Sequence, residues 1–379
     1  MRFPSGNPLA VLGRAALLLS FSALALGSAP QSTDTQKPQG DPVLGERIAG
    51  GIVFDGELWL RGVSGGLVSL NLSNDSRQVH FASGVLDMKR VGHDLLLMRR
   101  PAPNTREVVL SIWREGRFDD FARSSTSAKD GLIALLSGTN GPTILSTRTI
   151  RVFSPDKQEW RQIKLKRKLR GGFQETAASP LSSNSIYVGF NTGEWGGGLQ
   201  RIDLHTGAVT DIERRDSKQL CAGPLNSDCD PVTGVIPDPK NHDCILAAVG
   251  LVHLMSHGSI LRVCGSDVSL VFEKSYTVDG LREGDKWEMT EAFFGLVAAP
   301  NEGFWAISSG AFYRFGVDGA KKDEYRLPKL TPVSGIYLSR ELPSVIVLRT
   351  DANWAVSLSG YTPLVIPLEE SATPVEPAH

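Results

Sequence analysis

The chain has 379 residues, 41% of them hydrophobic and 21% charged, with 39 Gly and 22 Pro. That is too long for one small domain, although a repeat or closed β fold can use such a length as one unit, and the Gly and Pro content suits many turns. A formal net charge of −1 gives no ground for nucleic acid or an anionic membrane as a general partner.

Residues 1–27 read as a signal peptide. Arg2 and Arg14 supply positive charge, residues 15–26 (AALLLSFSALAL) form a short apolar run, and Ala25 and Gly27 are the small residues ahead of a cut. The run falls short of the ~20 residues that span a bilayer, and no Cys lies near it to carry a lipid. Residues 28–46, rich in Pro, Gln, Thr and Asp, read as a flexible leader. No later segment is apolar enough to cross a membrane. The expected location is periplasmic or secreted.

A strand pattern recurs over residues 47–368. In its clearest copy, residues 186–212 (IYVGFNTGEWGGGLQRIDLHTGAVTDI), Ile186, Val188 and Phe190 alternate as a half-buried strand does. A glycine-rich loop follows, then a strand on Leu199, Ile202 and Leu204, the turn His205-Thr206-Gly207, and a strand on Val209 and Ile212. The third strands align as LVSLNL (67–72), VVLSIW (108–113), RTIRVF (148–153), LQRIDL (199–204), ILRVCG (260–265), FYRFGV (312–317) and WAVSLS (354–359). Each follows an apolar second strand, starting at Glu57, Asp94, Gly131, Ile186, Cys244, Gly303 and Ser344, and precedes a more polar fourth strand. The repeat averages about 46 residues, which suits one four-stranded sheet per copy. Such a sheet has two apolar faces and two edges; stacking buries the faces and closure into a ring leaves only short edges. The chain thus resembles seven-bladed β-propellers, an all-β fold of four-stranded antiparallel blades, without a WD, kelch or NHL signature. Residues 48–54 supply the innermost strand of the first blade and 362–368 the outermost of the last, so closure needs no exchanged strand. Residues 369–379 read as a disordered tail.

All four cysteines, Cys221, Cys229, Cys244 and Cys264, fall in one window, and four allow three pairings. The repeat narrows these. Opposite partners of an antiparallel pair have residue numbers of constant sum, so a register that sets Val249 opposite Ser259 sets Cys244 opposite Cys264. Cys221 and Cys229 then close a short loop. A four-Cys metal site is the rival, but the spacings lack the CxxC pairs zinc usually takes.

In this architecture the loops from second to third strands and the crossings between blades share one face. In blade four that loop carries Glu194, Trp195 and three glycines, which permit positive φ and close approach of another backbone or a ligand. Trp195 reads either as packed on the next blade, with Glu194 accepting backbone N–H bonds, or as a platform for a ligand. In blade five it carries His253 and His257. Glu175, Asp230 and Glu291 stand on the crossings into blades four, five and six, where they either form an acidic arc or hold neighbouring blades together through N–H and Arg contacts. The leading expectation is a binding or assembly scaffold that meets a protein or carbohydrate through Glu175, Glu194, Trp195, Asp230, His253 and Glu291. The alternative is a metal-assisted hydrolase or lactonase in which Glu175, Asp230 and Glu291, with His253, hold Ca²⁺ or another divalent metal. In kind this is similar to the six-bladed lactonases of the regucalcin and gluconolactonase type, although their Glu, Asn, Asn, Asp ligand set has no residue-by-residue match here. Residues 161–170 (RQIKLKRKLR) are the densest basic run and read as an exposed outer strand whose lysines deter edge pairing, the alternative being contact with a polyanion or the cell envelope. No GxSxG, HExxH or phosphate loop is present.

Overall fold

Apolar alternation folds the chain into short strands that pair antiparallel with their neighbours in sequence. The computed structural model describes residues 48–367 apart from 72, 75, 92, 128, 139–140, 173, 179, 181–183, 220, 253–255, 281, 283, 300–302, 309, 327–334, 340–343, 350–353 and 360–361, and over 335–367 it describes the strands alone. The expected signal peptide, leader and tail, and His253, lie outside the described residues.

Four-stranded sheets, each built from one contiguous segment with its strands in chain order, form at residues 48–81, 85–125, 132–164, 174–212, 232–272 and 293–326. The first strand of each lies against the first strands of its neighbours. Ile48–Phe54 meets Val85–Val91, and the series continues through Leu132–Gly138, Gln174–Ala178, Val232–Pro237 and Phe293–Ala299. First strands therefore ring a centre and fourth strands face outward. The fold is a β-propeller.

Six blades with described faces are established, one fewer than the seven expected from the repeat. Residues 335–367 do form a further four-stranded sheet, whose strand Gly335–Ser339 lies between Phe293–Ala299 and Ile48–Phe54, but here the strands alone are described.

The core is divided among the gaps between blades. Between blades one and two, Trp59 packs against Met88, Leu95 and Leu97 and meets Trp113 edge-on at 4.9 Å. Ile186, Val188 and Phe190 pack on Leu136, Leu145 and Ile150 between blades three and four. Tyr187 and Leu199 pack on Val235, Ile245 and Ala247 between blades four and five. Phe304, Tyr313 and Phe315 meet Leu246 and Ile260 between blades five and six. Burying each large side chain is worth roughly 1.5–3 kcal/mol, so each blade draws much of its stability from the neighbours it packs on.

Two sequence expectations are corrected. Residues 131–136 are not the second strand of blade three; Leu132–Gly138 is its innermost strand, and Gly141–Ser146 is the second. Pro142 disguised the latter, yet it sits where the ladder tolerates it, because pairing with the third strand starts only at Thr143. A hairpin absent from the repeat, Ser275–Asp279 paired with Lys286–Thr290, is inserted in the crossing from blade five to blade six.

Both disulfides form as the register implied. Cys221 joins Cys229, and Cys244 joins Cys264 across adjacent strands that also set Val249 opposite Ser259. Replacing Cys244 and Cys264 together by Ala is expected to lower stability by about 3 kcal/mol, through the looser unfolded chain. Denaturant melts of the double variant against wild type check this, and a loss below 1 kcal/mol contradicts it.

Candidate functional site

Antiparallel order puts the loops from second to third strands and the blade crossings on one face. In blade four the loop tip is the turn Gly193–Trp195, closed by the Gly193 N–H donating to Asn191 Oδ1 at 2.8 Å. Gly196, Gly197 and Gly198 follow with φ of 72°, 134° and 72°. What approaches them is backbone. The Gly197 N–H donates to Ser227 O, and the Gly198 N–H to Asp230 O, each at 2.9 Å. Arg170 Nη1 donates to Gly197 O at 3.1 Å. The loop thus lies on the segment closed by Cys221–Cys229, which Arg215 also ties through Glu213 and Asp228. The result is a braced loop from which Trp195 projects with 74% of its surface exposed. Glu194 beside it is exposed.

Asp230 is buried. One oxygen accepts the Asn226 N–H at 2.6 Å and the other meets His257 Nε2 at 3.0 Å. The Asp230 hydrogen bond, more than burial opposes it, holds the His257 pKa above its ordinary value, with Asp230 and Glu273 charges adding to the shift. On the far side of the ring Nδ1 stands 3.4 Å from Thr290 Oγ1, which accepts the Gly258 N–H at 2.8 Å. Carboxylate, imidazole and hydroxyl follow the order of a nucleophile relay, but the last gap exceeds the about 2.6–3.2 Å of an activated pair. The trio anchors a crossing.

Glu291 is also engaged. It accepts from Ser308 Oγ and Tyr313 Oη and pairs with Lys274 Nζ at 3.3 Å. Burial, then the hydrogen bond to Glu291, raises the Tyr313 pKa; the Lys274 pKa is raised against burial by bonds to Glu324 and Tyr313 and by the Glu291 charge.

Position in the blade explains these acids. Asp230 and Glu291 stand two residues ahead of their innermost strands and bond to groups at the end of the second strand or on the third strand of their own blades. Asp130, which the sequence reading passed over, does the same in blade three, accepting the Arg148 N–H at 2.7 Å and the Thr149 hydroxyl. With residues 131–136 read as a second strand, Asp130 does not fall ahead of an innermost strand, which hides it from the sequence. Glu175 is different. It lies inside Gln174–Ala178, opposite Phe190, and accepts the Gly172 N–H at 3.1 Å. The expected arc of three equivalent acids is therefore not formed by Glu175, Asp230 and Glu291. Among the described residues no three His, Cys, Asp or Glu side chains gather where they could hold a metal ion.

No protein-family model matches the chain, and no curated protein matches it. Solved structures do. The extracellular domain of a candidate one-component system from B. thetaiotaomicron is 12% identical with a TM-score of 0.49; the match covers 81% of this chain and 37% of that one. The β-propeller domain of the Trilobed protease from Pyrococcus furiosus, described as having an open velcro topology, is 10% identical with a TM-score of 0.47, covering 86% of this chain and 99% of that one. The computationally designed Ika8 protein is 10% identical at 0.47, covering 85% and 86%. Among the described residues no helix is long and apolar enough to cross a membrane.

Proposed function

We propose that the protein is an exported β-propeller binding module, periplasmic or secreted, with residues 335–367 as its seventh blade. It recognises a protein or carbohydrate partner on the face built from the second-to-third loops and the crossings. Trp195 carries this reading. Side chains of its size are normally sheltered, whereas this indole is 74% exposed on a loop braced by backbone bonds and a disulfide-closed segment. Ordering the loop in advance removes an entropic cost of binding, and a rigid exposed Trp is the residue type most often dominant in an interface. Two disulfides support an oxidising compartment. A divalent metal has no part in this reading, because Asp230 and Glu291 are occupied by donors of the protein itself.

The test is a glycan array and a capture from envelope extract, each run with wild type and Trp195→Ala side by side. Loss of an interface Trp costs about 2 kcal/mol or more, so retention of the captured ligand should weaken about thirtyfold with the melting temperature unchanged. Equal retention by the variant overturns the reading.

A further inference from the structure

Seen as an outer strand, the basic run at residues 161–170 is a guard against edge pairing. The structure divides it differently. Only Glu159–Lys164 is strand; residues 165–170 form the crossing to blade four. That crossing is stitched to two other segments of the same face. The Leu165 N–H donates to Arg148 O, and the Leu169 N–H to Thr147 O. The Thr147 N–H in turn donates to Gly131 O, and the Arg148 N–H to Asp130. Leu165 and Leu169 turn inward and are buried, so the residues between them turn out.

Lys129, Arg148, Lys164, Lys166 and Lys168 are all exposed on these stitched segments, and none has a carboxylate partner among the described residues. The carboxylates close by are already taken. Asp211 pairs with Arg167 at 2.7 Å and Arg170 at 3.4 Å, and buried Asp130 is held by Arg148 N–H, Thr149 and Arg151. A protein of net charge −1 thus gathers five unneutralised cations on the edge of one blade. Arg170 then links this band directly to the loop of Trp195 through its bond to Gly197 O.

We propose that the crossing from blade three to blade four is the docking band for an acidic polysaccharide, a linear chain bearing carboxylate or sulfate groups. The inference rests on the binding face proposed above and names its ligand class. The cations come from three segments held side by side by backbone bonds, and their shared positive charge is complementary to a polyanion. Trp195 is the one exposed large hydrophobic residue on blades three and four among the described residues. A single indole offers a platform for one pyranose ring, whereas docking on a bilayer calls for several apolar side chains that enter it. Several surface cations acting on one polyanion give binding that salt screens strongly.

The experiment measures binding of labelled dextran sulfate and polygalacturonate to the whole chain by fluorescence anisotropy. Neutral dextran and phosphatidylglycerol vesicles serve as comparisons. Wild type is expected to bind both acidic polymers, to ignore neutral dextran, and to weaken at least about tenfold between 50 and 200 mM salt. The triple variant Lys164→Glu, Lys166→Glu, Lys168→Glu, whose side chains are exposed, should melt like wild type and bind at least about tenfold more weakly. No binding by wild type, equal binding by the triple variant, or stronger binding to the vesicles than to the polymers overturns the proposal. Trp195→Ala separates the two readings. Polymer binding lost in the triple variant but kept in Trp195→Ala upholds the band and removes the indole from the polymer site. Binding lost in Trp195→Ala but kept in the triple variant removes the band and leaves the indole standing.

Discussion

Gly197→Ala is expected to destabilise the protein by about 3 kcal/mol or more, because two penalties coincide there. Its φ is 134°, where side chains are strained, and a Cβ would lie 2.0 Å from Phe190 O. Phe190 belongs to the second strand of blade four and its side chain is wholly buried, so the obstruction is rigid backbone. Gly56→Ala is the control. Its φ of 74° carries the conformational cost, but nothing lies within 4 Å of the added atom, and about 1 kcal/mol is expected. Urea melts of both variants give the comparison; similar losses at the two positions contradict the account. Because Gly197 donates to Ser227 O, the variant should also free the Trp195 loop from its brace, read as faster proteolysis within residues 191–198 at temperatures where wild type is intact.

Asp230→Ala should cost about 2–4 kcal/mol, since it strands the buried Asn226 N–H and leaves His257 without its carboxylate. Asp230→Asn keeps an acceptor and should cost less. The pH dependence discriminates further. Asp230 raises the His257 pKa in the folded protein above the unfolded value of 6.5. The charged pair therefore contributes fully below that value, and its contribution fades as pH rises through the higher folded pKa. Wild type should lose stability relative to Asp230→Asn across that window, and the His257 ring signals in an NMR titration should shift to a lower pKa in the variant. A His257 titration unmoved by Asp230→Asn would sink this account. The Asn226 bond persists at all these pH values, so Asp230→Ala stays less stable than wild type even where His257 is neutral.

These two residues differ in how far the sequence showed them. The glycine triplet after Trp195 announces positive φ or close approach, the two reasons a chain dispenses with Cβ, and the structure shows both. What approaches, the Ser227 backbone, is not visible from the triplet. Asp230 was visible as an acid before an innermost strand, but its partners His257 and Asn226 were not, and so it looked available to a metal. Asp130 was hidden by the shift of blade three, where Pro142 made a true strand read as loop. The hairpin of Ser275–Asp279 and Lys286–Thr290 was hidden for another reason. Its alternation of Tyr276, Val278, Trp287 and Met289 is ordinary for a strand pair, and only its place outside a four-strand count marks it as an insertion.

From sequence alone came most of the strands, their repetition in fours, and the pairing of Cys244 with Cys264. Each depends on local alternation or on register, and both are properties of neighbours along the chain. Tertiary structure decided the rest: which acids are spent on their own blade, which cations are left without partners, and that Trp195 stands clear of its neighbours. A charged or aromatic side chain takes its role from whatever faces it across space, and those partners come from residues tens of positions away.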